Sequence, residues 1–369
     1  MKAKTFLICT IALSLVVLGT MACVIFYLDP LFHFRAPRPG YYYDLPEQYE
    51  RLQNDGILRN FDYDGVITGS SMCQNFMTTQ AEELFGGRFV KTCFSGGTWK
   101  EISDNLRNAF EYNPDIKIVI QGVDYNMLLW DKDKLSYDPS QYPKFTGKAG
   151  KFNDIEYLLN KTVLYDYVIG MIENRIAGTP PGVKPFDEYE NFTADAMNAY
   201  GYGYDAFVGY YGDLEYQGPG KRQELSDEEI DNIRKSVEAN FISLANDHPD
   251  TVFYLFITPY SIYNWMLYSQ DGITDKMIDA ETVMIAELLK CENIRLYSFN
   301  DNKDLVCDLD NFSDKMHFGE NVNTMILNDI KDGTGLLTED NYLDYIDRER
   351  KLYDTYDYYS IAKEASVVL

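Results

Sequence analysis

Five short apolar runs, separated by stretches of helical pattern, constrain this chain more than any other feature in it. They lie at about Tyr63–Thr68, Arg88–Phe94, Ile116–Gln121, Val252–Thr258 and Ile294–Phe299. Helices are predicted over Cys73–Phe85, Lys100–Tyr112, Ser226–Ala245, Asp275–Leu289 and Asn321–Asp332. Ser226-Asp227-Glu228-Glu229 has the form of an N-cap with an acidic first turn. Apolar strands that alternate with helices pack as an α/β fold around a central parallel sheet. Such sheets bind ligands beyond the carboxyl ends of their strands.

Ahead of this pattern, Phe6–Leu28 carries no charged residue and is long enough to cross a bilayer, which takes ~20 residues. Lys2 and Lys4 precede the run and Asp29 follows it, so the positive-inside tendency puts the N-terminus in the cytoplasm and the remainder outside. A cleaved signal peptide is the other reading. Bulky Val24–Leu28, where a small-residue cleavage site would be needed, favours an uncleaved anchor. Residues 29–60 then form a juxtamembrane linker. Its Tyr41-Tyr42-Tyr43 either sits at the headgroup level or is plain linker.

The α/β domain is predicted over 61–335, with a Tyr-rich insertion at about 130–225 over the strand ends and a single helix at Val163–Ile176 inside it. That insertion is read either as a surface for sugar rings, whose C–H faces are apolar, or as a small satellite core. The tail, 336–369, has an amphipathic pattern from Tyr342 to Ala362 that would dock on the domain. A formal charge of -25 argues against a nucleic-acid partner, since phosphate binding needs a basic surface. The six cysteines show no C-x-x-C spacing, which gives neither a dense disulfide framework nor a zinc signature. Cys73 and Cys93 are read as two buried thiols, with a disulfide between them as the alternative. Nothing in the sequence points to a metal or an organic cofactor.

The first strand ends in Gly69-Ser70-Ser71-Met72, a turn that places serine at the carboxyl end of the sheet and, with helix from Cys73, at a helix N-terminus. A serine nucleophile needs a base, most often histidine, and the base needs an orienting carboxylate. The chain has three histidines. His33 belongs near the membrane. His248 precedes the fourth strand and so falls at the opposite end of the sheet. His317 remains, with Asp314 three residues upstream. Cys73 is a weaker nucleophile candidate, because its side chain should point away from the turn.

Gly69-Ser70-Ser71 after the first strand, Ser95-Gly96-Gly97-Thr98 after the second and Asp314-x-x-His317 after the last together resemble the SGNH (GDSL-type) hydrolase superfamily. With a membrane anchor, they resemble more closely the DltD-like and related cell-surface SGNH acyltransferases of Gram-positive bacteria. The resemblance implies a three-layer, flavodoxin-like α/β fold. It implies Ser71 as nucleophile with Ser70 as the fallback, His317 as base and Asp314 as orienting acid. The Ser71 and Gly96 amides would form the oxyanion hole. The family's third block has an asparagine where Asp124 stands, and Asn126 is the substitute donor. The implied activity is O-acylation, O-acetylation or D-alanylation of a cell-envelope glycan or teichoic-acid-type polymer, with a membrane-embedded O-acyltransferase as partner. A surface esterase and a non-catalytic glycan-binding module on the same fold stand as alternatives.

Overall fold

The computed structural model describes residues 3–46, 49–147, 154–189, 191, 201–212 and 214–363. Lys2 of the charge asymmetry and Tyr200 of the tyrosine cluster lie outside them. The chain forms two compact units. One comprises Met1–Asp62, Asn108–Pro114 and Tyr137–Pro185; the other comprises Tyr63–Arg107, Asp115–Ser136 and Phe186–Leu369.

The second unit is built on a five-stranded, wholly parallel sheet. Its strands are β1 (Gly65–Ser70), β2 (Phe89–Phe94), β3 (Ile118–Val123), β4 (Val252–Ile257) and β5 (Ile294–Ser298), in the order β2-β1-β3-β4-β5. Every residue of β1 and β2 is buried, as expected where helices cover both faces of a parallel sheet. The chain leaves β1 for β2 on one side, then crosses to β3 on the other. This reversal opens a crevice beyond the carboxyl ends of β1 and β3.

The helices follow the sequence pattern with informative departures. Helix does not start at Cys73. Ser71–Cys73 is a single 3-10 turn, and the α-helix runs only from Thr78 to Phe85. Lys91, fully buried in β2, explains the delay. Its ammonium donates to the carbonyls of Gln74 and Phe76, acceptors that a continuous helix would have used. The Asp187 carboxylate then takes hydrogen bonds from Thr78 Oγ1 (2.9 Å) and the Thr79 amide (3.2 Å), where the helix begins. Ser226 and Glu229 form a full capping box. The helix that follows passes through a π-helical stretch, Glu238–Ile242, and ends at Asp247. A helix at Ile262–Asp271 was not anticipated. The tail helix breaks in two, Tyr342–Thr355 and Tyr359–Lys363. It docks through buried Tyr345, Ile346, Glu349 and Tyr353, the last stacked 3.7 Å from Trp265.

The first unit begins with the apolar helix Ala3–Leu28. Asp29 ends it, with a φ of 47° and a carboxylate that accepts from the amides of His33, Phe34 and Arg35 and from the Tyr157 hydroxyl. Tyr43 is packed into the first unit. It is 2 % exposed, and its hydroxyl donates to the Leu28 carbonyl at 2.9 Å. Tyr42–Tyr43 pairs in parallel with Gly182–Val183. The predicted insertion is therefore divided. Residues 137–185 cluster with the N-terminal segment, where Tyr157 and Tyr167 are core residues, and the chain rejoins the sheet unit at Phe186. The helix expected at Val163–Ile176 is present as a π-helical turn, Val163–Val168, continued by Ile169–Ala177.

Candidate active site

Three segments converge on the crevice of the sheet unit. Ser71 opens the 3-10 turn that follows β1. The Ser70 side chain accepts from the Met72 amide at 3.2 Å, which caps that turn, and its hydroxyl also meets the Asp124 carboxyl group. Ser71 Oγ lies 2.8 Å from His317 Nε2, and His317 Nδ1 lies 2.7 Å from Asp314 Oδ2. Asp314 Oδ1 accepts from the Met316 and His317 amides, both at 2.8 Å, so the acid is fixed by its own turn.

The histidine loop is tied down on all sides. Phe312 and Phe318 bridge across it, and Gly319 N–H donates to the Asn311 carbonyl at 3.0 Å. Ser261, just past β4, donates through both its amide and its hydroxyl to the Lys315 carbonyl. Asn323 Nδ2 donates to the Met72 carbonyl at 3.3 Å, and Asn75 Nδ2 to the Phe318 carbonyl at 3.4 Å. These bonds join the serine and histidine segments directly and hold residues distant in sequence in one geometry.

Electrostatics set the protonation pattern. Burial disfavours the His317 imidazolium, but the hydrogen bond and charge of Asp314, with the charge of Asp124, outweigh it and hold the ring above its ordinary value. Burial likewise pushes Asp314 up, and the imidazole and two backbone amides bring it below the usual carboxylate range. Asp124, 3 % exposed beyond the end of β3, is pushed up to about 6 by burial, against the opposing hydroxyls of Ser70 and Thr258 and the charge of His317. Its Oδ1 has no hydrogen-bond partner among the described residues.

The second loop is Ser95-Gly96-Gly97-Thr98. Gly96 has a φ of +58°, a left-handed conformation that glycine adopts without strain, while a Cβ at Gly97 would lie 2.5 Å from the Phe94 side chain. The Ser136 hydroxyl lies within hydrogen-bond distance of both the Gly96 carbonyl and the Glu101 carboxylate, and Glu101 also accepts from the Thr98 amide at 2.9 Å. Neither Ser136 nor Glu101 was marked by the sequence: Glu101 forms a local capping box with Thr98, whose Oγ1 accepts from the Glu101 amide at 3.2 Å, and Ser136 joins it only through the tertiary fold.

The resulting cavity measures about 360 Å³ and is lined by Ser70, Ser71, Gly96, Asp124, Asn126 and His317, with Trp130, Tyr210 and Tyr260 as its aromatic wall. Asn126 donates its amide to the Tyr260 hydroxyl at 3.3 Å, and its side-chain oxygen is buried without a partner among the described residues. The volume falls at the lower end of the range for small-molecule sites. Of the tyrosine cluster, Tyr210 reaches this wall; Tyr211 instead stacks on Tyr263 and accepts from the Lys315 amide.

The remaining candidates lie elsewhere. Cys73 is fully buried behind the turn, so close to Gly69 and Gly122 that a Cβ on either would lie 2.4 or 2.7 Å from its sulfur. Burial pushes its thiol well up, which removes it as a nucleophile. Cys73 and Cys93 are both free thiols. His33 is in the first unit, 2.9 Å from Asp154. His248 precedes the amino end of β4, at the far end of the sheet.

No family model matches the chain, and no curated protein matches it. Among solved structures, one from Streptococcus pneumonia, provisionally described as a platelet activating factor, aligns over 78% of this chain and 92% of that one, with 11% identity and a TM-score of 0.40. A likeness that remote carries no weight for fold or activity, and the site stands on its own geometry.

Proposed function

We propose that this chain is an extracytoplasmic, membrane-anchored enzyme of SGNH type that transfers an acyl group through an ester on Ser71. The observation that carries the reading is the continuous chain of contacts from Ser71 Oγ to His317 at 2.8 Å and on to Asp314 at 2.7 Å, inside a cavity at the carboxyl ends of a parallel sheet.

In this reading Ser71 Oγ attacks the acyl carbonyl of the donor while His317 Nε2 takes its proton. The tetrahedral intermediate collapses, the donor's leaving group departs with the proton from His317, and the acyl group remains on Ser71. An acceptor hydroxyl then gives its proton to His317 and attacks the ester, and the second tetrahedral intermediate collapses as His317 returns that proton to the departing Ser71 Oγ. Asp314 holds the ring tautomer and stabilises the imidazolium. The amides of Ser71 and Gly96 receive the oxyanion, each such donor being worth roughly 3 kcal/mol in an active enzyme. Asp124 replaces the usual third donor. When protonated it presents a neutral O–H rather than a repelling charge, and Asn126 is the other polar group on that wall.

The acceptor that fits the anchor, the open cavity and its aromatic wall is a hydroxyl of an envelope glycan or teichoic-acid-type polymer. O-acylation, O-acetylation or D-alanylation are the transfers implied, with the acyl group supplied by a membrane-bound O-acyltransferase. With water as acceptor the same site is an esterase. Release of acetate from an acetylated glycan without any other acceptor would assign hydrolysis. Asp124 favours a third role, glycan binding without catalysis.

A fluorophosphonate probe separates catalysis from binding. Labelling of Ser71 that is lost in Ser71→Ala and His317→Ala supports the enzyme. An unlabelled wild-type protein, or full acyl transfer by Ser71→Ala, refutes it.

A further inference from the structure

The first unit contains a second cavity that the acyl-transfer reading does not use. It is a slot of about 800 Å³ along one face of the apolar N-terminal helix, at Val16, Gly19, Thr20, Cys23, Val24 and Tyr27. Its other wall is the helix Ile169–Ala177, through Ile172 and Ile176. This wall is unusual for a water-facing surface, since Ile172 is 43% and Ile176 82% exposed. The slot has no polar floor. The Thr20 hydroxyl is turned back onto the Val16 carbonyl at 2.8 Å.

Its outward end has the opposite chemistry. Tyr27 and Tyr41 close it, their rings 6.5 Å apart. Arg175 lies over the Tyr41 ring, Arg38 over Tyr27 and Arg35 over Phe26, at 5.0, 4.5 and 4.3 Å from the ring centroids. None of the three arginines forms an ion pair among the described residues. That is notable in a chain of formal charge -25. Aromatic rings and guanidinium groups at the end of an apolar helix mark the headgroup level of a bilayer.

The dimensions agree. From Val16 to Tyr27 is eleven helical steps, about 17 Å. That is roughly half of a ~30 Å hydrocarbon core, the depth of one leaflet. We propose that the slot holds one acyl chain of an anionic glycerophospholipid, with its phosphate at Arg175 and Arg38. The proposal requires the N-terminal helix to be retained in a bilayer and does not depend on the chemistry at Ser71. Charge complementarity selects this occupant, since a neutral transmembrane helix would leave Arg38 and Arg175, the latter held by the Gly40 carbonyl, without a counter-ion.

The test uses the full chain in phosphatidylcholine vesicles doped with phosphatidylglycerol that bears a photoreactive diazirine on an acyl chain. Mapped cross-links should concentrate on Cys23–Val24 and Ile172–Ile176. Arg175→Gln should lower them about fivefold, the share of one arginine at an anionic surface. Gly19 lines the slot and a Cβ there meets nothing within 4 Å, so Gly19→Phe puts a ring into the slot and should abolish the cross-links at Ile172–Ile176. Tryptophan fluorescence and fluorophosphonate labelling should stay unchanged in both variants. Cross-links spread evenly along the helix, equal labelling by a photoreactive phosphatidylcholine, or insensitivity to Gly19→Phe would each overturn the proposal. So would efficient Cys23–Cys23 disulfide formation in the bilayer, which would put a second copy in the slot, or a mature N-terminus beyond Leu28.

Discussion

Replacing Asp124 by asparagine tests whether burial governs this carboxyl group. Its value rises from 3.8 to about 6, a shift of about two pH units. At ~1.4 kcal/mol per unit this is about 3 kcal/mol of preference for the neutral form in the folded state. The sign follows from proton linkage. Below pH 4 the group is protonated both folded and unfolded, and it contributes no pH-dependent penalty. Between pH 4 and 6 the unfolded chain releases the proton and the folded one retains it, so stability falls as pH rises. Above pH 6 the loss is complete and constant. Asparagine cannot ionise and escapes this penalty. The variant should therefore gain on wild type progressively from pH 4 to 6 and stay ahead by about 3 kcal/mol up to pH 8, reduced somewhat if the new amide finds no acceptor. Urea denaturation of the full chain in mild detergent measures the difference. Tryptophan fluorescence reports the sheet unit alone, because Trp99, Trp130 and Trp265 all lie in it. Parallel pH profiles for the two proteins would show that Asp124 is not held neutral by burial. If the proposed mechanism is right, the same variant should also raise acyl-transfer activity near pH 8, since a neutral donor replaces a charge beside the oxyanion.

Three further outcomes follow from the site. Asp314→Asn should cost about four orders of magnitude in turnover by removing the partner that fixes the His317 tautomer. It should also move the acid limb of the kcat/KM profile to lower pH, since Asp314 is what holds the imidazole above its ordinary value; an unmoved limb would assign that limb to another group. Ser136→Ala should lower kcat with little change in KM and little loss of stability, because it loosens the Gly96 loop rather than the cavity wall; an unaltered kcat would make that contact merely structural. Native protein treated with iodoacetamide should leave Cys73 and Cys93 unmodified until denaturant is added, in keeping with two buried free thiols; rapid modification of Cys73 in native protein would contradict its placement behind the turn.

Much of the sheet was legible because each of its strands is a short apolar run bounded by glycine or polar residues, a local property of the chain. The same holds for the capping box at Ser226 and for the apolar helix at the N-terminus. Elimination among three histidines singled out His317, and the structure does bring it to Ser71. What the sequence left unread depends on contacts between segments. A buried lysine in β2, Lys91, takes the carbonyls that would have carried helix into the serine turn. Asp29 reads as a flanking charge and is instead the acceptor on which four donors converge.

By itself the sequence determined the α/β alternation, the membrane-length helix and which serine and histidine were in contention, since these rest on hydrophobic period and residue type. Only the tertiary structure decided that Ser71 rather than Ser70 faces the imidazole, that Asp124 lies buried beside both, and that half of the tyrosine-rich stretch packs with the N-terminal segment. Each of those outcomes depends on burial and hydrogen-bond direction, which arise when distant segments meet and leave no mark on local composition.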